Sequence, residues 1–108
     1  MLKKSAAILA VSTLGLTGCV AEEEALTLYS GRKENLVQPL IDQFTEDTGI
    51  EVDVRYAGTS ETAALILEEG DNTNADVFYG VGGAALGALS AAGAFVELDQ
   101  GVLDLVPE

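Results

Sequence analysis

Apolar residues recur along the chain in two alternating rhythms, and these predict strand and helix in turn. Residues 26–29 (LTLY) form a short apolar run that reads as a strand. Residues 50–56 (IEVDVRY) alternate apolar and polar side chains at period two, as a half-exposed strand at a sheet edge should. Residues 75–79 (ADVFY) give a third strand, whose continuous apolar centre predicts burial on both faces. Between the first two strands, Leu36, Val37, Leu40, Ile41 and Phe44 fall at helical spacing, with Asn35 as the expected cap and Gly49 as a left-handed stop. Pro39 fits there only if regular helix begins around Asn35 or the first turn is distorted.

A second helix is expected to begin with Thr59 or Ser60 as its cap, to turn Ala63, Ile66 and Leu67 inward and to stop at Gly70. The polar loop 71–74 follows, and then a third helix over about 83–92, rich in Ala and Gly and so able to pack closely on a sheet. Strand and helix alternating three times predict an α/β fold, a parallel sheet with flanking helices and right-handed crossovers. The tail 95–108 holds apolar residues but no clear fourth unit, and three parallel strands alone leave much apolar surface open. Residues 25–108 are therefore expected to form an incomplete lobe.

The first eighteen residues follow a different pattern. Lys3 and Lys4 make a basic start, and 6–17 is an apolar, uncharged stretch too short to span a bilayer, which is the make-up of an export signal. It runs into Leu16-Thr17-Gly18-Cys19, which resembles the bacterial lipobox. Cys19 is the only cysteine, so lipidation at Cys19 is expected, with residues 1–18 as signal peptide and 19–24 as an acidic tether. Acyl chains there would anchor the protein to the outer face of the cell membrane or in the periplasm, with more than one chain needed for stable attachment. No disulfide can form within this chain.

Charge narrows the partners further. Five Lys and Arg face eighteen Asp and Glu, a formal net charge of −13, which argues against nucleic acid or a bare anionic membrane because phosphate contacts need clustered cations. A solvated, soluble surface accounts for most of that acidity. Two of the few cations, Arg32 and Lys33, nevertheless stand side by side directly after the first strand.

Ligands of open parallel sheets sit beyond the carboxyl ends of the strands. Three segments lead from those ends into helices: Ser30-Gly31-Arg32-Lys33, Ala57-Gly58-Thr59-Ser60 and Gly80-Val81-Gly82-Gly83. Each contains glycine, which lets main chain approach a ligand, and helix N-termini favour an anion. Ser30, Gly31, Arg32, Thr59 and Ser60 are therefore candidate anion-binding residues, with Tyr56, Gly80 and Val81 lining the cleft. Arg32 can fork onto a carbonate, carboxylate or phosphate; Lys33 adds a less directional charge, and both could instead pair with surface carboxylates such as Glu34.

A rival motif lies in the third segment. Residues 80–85 fit G-x-G-x-x-A, with Glu97 or Asp99 near the position of a ribose-binding acid. It occupies the third strand-helix unit instead of the first, and an exported protein has little access to a dinucleotide. With no histidine and the single thiol assigned to lipid, the usual triads, zinc sites and imidazole bases cannot be built from these residues, so a binding role is expected and not an enzymatic one.

The lipobox, 26–32 (LTLYSGR), 44–50 (FTEDTGI), 68–70 (EEG) and 75–79 (ADVFY) together resemble the N-terminal part of the ferric-iron-binding proteins of ABC importers, across about residues 25–99. The resemblance implies a type II periplasmic-binding-protein lobe. It also implies a monomeric, two-lobed receptor that closes on iron(III) with a synergistic anion, carbonate or phosphate, and delivers it to a membrane permease and its ATPase. Iron(III), a hard cation, suits phenolate and carboxylate oxygens. The main tyrosine ligands are implied to lie beyond Glu108, with Tyr56 a candidate metal ligand. Some family members have a histidine ligand where Lys33 falls and a glutamate ligand where Val81 falls. Either this chain resembles a tyrosine-and-anion subgroup, with Arg32 holding the anion, or its cargo is a different small solute, such as a phosphonate or phosphorylated compound.

Overall fold

The computed structural model of the chain describes residues 24–107; the expected signal peptide and Cys19 lie outside the described residues. Three strands, β1 (Leu26–Ser30), β2 (Val52–Tyr56) and β3 (Val77–Tyr79), form a parallel sheet in the order β2-β1-β3. β1 is central because Leu28, Tyr29 and Ser30 are all buried, so that both faces of its carboxyl half can be covered. The last rung of the sheet holds Tyr56, Ser30 and Tyr79 in register, and the three connecting loops leave from it.

Helix α1 (Glu34–Thr48) lies on one face of the sheet, where its Ile41 and Phe44 line an open apolar groove with Leu26, Leu28, Val52 and Val77. Its N-cap is Lys33 and not the expected Asn35. The N–H groups of Leu36 and Val37 both donate to the Lys33 carbonyl, at 3.0 and 3.3 Å, so the first turn is tightened, and Pro39 stands at an exposed position inside the helix. Gly49 ends it at φ 74°, its N–H donating to the Thr45 carbonyl at 2.8 Å, as the sequence predicts.

Helices α2 (Thr59–Glu69) and α3 (Gly83–Ala91) cover the other face. Tyr29, Ala63, Ile66 and Leu89 form the core between them and the sheet, with Leu65, Ala75, Phe78 and Ala85 packed around it. The Tyr29 hydroxyl donates to the Glu69 carboxylate at 3.1 Å, Thr73 Oγ1 donates to the same group at 2.8 Å, and the Arg55 guanidinium stands 5.7 Å from the Tyr29 ring centre. These contacts tie the end of α2 and the short 3-10 turn Gly70–Asn72 to the central strand.

Besides the cap of α1, the structure corrects four expectations. Leu67 is exposed and does not turn inward with Ala63 and Ile66. β3 is three residues long and is not buried on both faces: Phe78 enters the core, while Val77 and Tyr79 are exposed because α1 does not reach over them. α2 is capped by Gly58, so Thr59 is its first helical residue. The tail contains a further short helix, α4 (Gln100–Leu103), whose cap Asp99 accepts a hydrogen bond from the Gly101 N–H at 2.8 Å.

Candidate functional site

The three loops that the sequence places at one edge are held together by hydrogen bonds. The Ala57 N–H donates to the Ser30 carbonyl at 3.0 Å, and the Gly31 N–H donates to the Tyr79 carbonyl at 2.8 Å, extending the sheet by one bond on each side of β1. Thr59 Oγ1 donates to the Gly31 carbonyl at 3.3 Å and accepts from the Val81 N–H at 3.1 Å. A Cβ on Gly31 would overlap Thr59, and one on Gly80 would run into the Phe78 ring and approach Thr59. Glycine at 31 and 80 thus answers to loop packing.

Three helices begin on this rim, at the N-caps Lys33, Gly58 and Gly82, and none has a side-chain cap. Their first N–H groups and the positive ends of their dipoles collect on one edge, the physical requirement for holding an anion. Thr62, fully buried, braces the first turn of α2 from within: its hydroxyl donates to the Gly58 and Thr59 carbonyls, both at 3.0 Å.

The geometry separates the candidate residues by what their groups are already doing. Ser30 is buried, and its hydroxyl accepts from the Arg32 N–H at 3.2 Å and donates to the Arg32 carbonyl at 3.1 Å, which fixes the backbone at Arg32. Gly31 and Thr59 are committed to the inter-loop bonds. Arg32, Lys33 and Ser60 are exposed, and among the described residues no hydrogen bond or ion pair engages their side chains, so the pairing of Arg32 or Lys33 with Glu34 does not form. Val81 is half exposed, with its N–H held by Thr59.

Tyr56 ends β2 at the rim, but its phenol donates to Gln38 Oε1 of α1 at 2.8 Å. Partial burial, and then the negative charges of Glu34 and Asp42, push its pKa above the ordinary value of 10.0. The neutral phenol is therefore favoured. Tyr79 flanks Ser30 on the opposite side, with an exposed side chain. Among the described residues no three His, Cys, Asp or Glu side chains come together in a way that could hold a metal. Of the two acids offered for the rival dinucleotide motif, Glu97 is exposed and Asp99 is the cap of α4.

Comparison with known proteins gives relatives of the chain and of its fold. An Fe(3+)-binding periplasmic protein of Serratia marcescens is 35% identical over 99 residues, which cover 90% of this chain and 29% of that protein. Iron-bound HitA from Pseudomonas aeruginosa matches with a TM-score of 0.72 and 35% identity, over 77% of this chain and 27% of that one. The chain is a partial homologue of the ferric-iron-binding periplasmic proteins. Its fold is part of their type II lobe, as the sequence motifs imply, and the chain spans under a third of the length of these relatives. A Trichodesmium member of the family, solved with iron and citrate ligands, superposes with a TM-score of 0.68 at 32% identity over 76% of this chain and 26% of that one. No protein-family model matches the chain.

Proposed function

We propose that the protein carrying this chain is the substrate-binding component of an ABC importer, capturing iron(III) with a small oxyanion and delivering it to a permease and ATPase. The observation that carries this reading is the rim: three helix N-termini, tied together by Thr59, beside the Arg32 side chain, with no side-chain cap on the helices and no partner for Arg32 among the described residues. Such a rim suits an anion, and an anion bridging to iron(III) would neutralise part of the metal's charge while filling coordination positions.

Arg32, Ser60 and the first N–H groups of α2 are the groups left free to contact the anion, carbonate or phosphate. Ser30, Gly31 and Thr59 shape the site through the backbone. Tyr56 would have to surrender its bond to Gln38 and lose a proton that its surroundings retain, which supports main iron ligands elsewhere in the full-length protein. Lipid on Cys19 would hold this receptor at the membrane surface, beside its permease.

Adding ferric iron and carbonate to the full-length protein should produce a visible tyrosinate-to-iron absorption band. Arg32→Ala should weaken iron retention against a citrate competitor by about tenfold, the scale of one lost charge-assisted hydrogen-bonding group. No band at near-neutral pH, with carbonate, phosphate or citrate supplied in turn, would remove iron as the cargo.

A further inference from the structure

Thr59 stands where the rim would be expected to offer a hydroxyl to the ligand, yet its one proton is directed to the Gly31 carbonyl at 3.3 Å and its oxygen receives the Val81 N–H at 3.1 Å. A single side chain thus joins the loop that carries Arg32 to the loop that starts α3, across 28 and 22 residues of sequence. The main chain is cleared around it. A Cβ at Gly31 would come within 2.6 Å of the Thr59 Cα, so that loop closes onto Thr59 only as glycine; one at Gly80 would meet the Phe78 ring first and lie 3.2 Å from the Thr59 Cγ2.

We propose that Thr59 is a positioning residue of the anion site: its hydroxyl sets the separation between Arg32 and the N-termini of α2 and α3 without touching the ligand. This rests on reading the rim as an anion site. Anion affinity is steep in the placement of its donors, so losing the bridge loosens two loops and lowers affinity even though every contacting group remains.

Two substitutions in the full-length protein separate this role from simple packing. Thr59→Val keeps the branched shape and removes the hydroxyl; Thr59→Ser keeps the hydroxyl and removes the methyl group. Thr59→Val should lower affinity for ferric iron with carbonate about tenfold, on the scale of two lost hydrogen bonds, and speed hydrogen exchange at the Val81 amide, while Thr59→Ser stays near wild type in both. The reverse order, Val tolerated and Ser impaired, would overturn the proposal in favour of methyl packing. The Val81 amide is read without iron. Equal exchange in wild type and Thr59→Val therefore overturns the bridge by itself, whereas a wild-type protein that binds no iron overturns the importer reading.

Discussion

Tyr56 shows how a single residue's surroundings decide its chemistry. Folding raises the affinity of its phenol for the proton, through partial burial first and through Glu34 and Asp42 second. The stability it contributes is therefore fully present below the unfolded-state value of 10.0 and is lost as pH rises through the higher folded-state value. Urea midpoints measured from pH 9 to 11 should fall more steeply for wild type than for Tyr56→Phe. Parallel curves would show that the phenol is not held by its neighbours. The sequence placed Ser30, Gly31, Arg32, Tyr56, Thr59, Ser60, Gly80 and Val81 on one edge, because loop position follows from strand order. It did not show that the Ser30 and Thr59 hydroxyls turn back to the main chain. Those bonds depend on how loops far apart in sequence dock, and no spacing encodes them.

At the scale of elements, period-two and helical patterns located three strands and three helices, since each buries one face or stripe against a neighbour. Their ends were less legible. β3 is in register with β1 over Val77–Tyr79; just before it the Asp76 N–H still donates to the Thr27 carbonyl at 2.9 Å, while the Thr27 N–H turns to the Asp76 carboxylate at 2.8 Å. Asp99 held the signal for α4, an acid two residues before a glycine whose N–H it caps, but a four-residue helix has no periodicity to read. α3 is mostly Ala and Gly, and its one fully buried side chain, Leu89, packs with Tyr29, Ala63 and Ile66, with Ala85 beside it. Leu89→Ala should destabilise the folded protein by about 2–5 kcal/mol, measured by urea unfolding. A loss under about 0.5 kcal/mol, the range of ordinary surface changes, would mean that α3 is held in some other way.

Across the molecule, charge is distributed in a way that suits a cation carried with an anion. The chain has a formal net charge of −13, yet two of the three cations after residue 18, Arg32 and Lys33, stand at the rim where three helix dipoles begin. Under the proposed function, the overall acidity would favour the approach of a metal cation and the rim would favour an oxyanion. Paramagnetic broadening of backbone amides in the full-length protein on adding ferric iron with carbonate locates the metal directly, because the effect falls off steeply with distance. Broadening should centre, within this chain, on residues 30–33, 58–61 and 80–83 and should fade toward Leu26 and Val52. Broadening centred instead on the acidic outer side of α1, around Glu34, Asp42 and Glu46, with the three loops unaffected, would contradict the account.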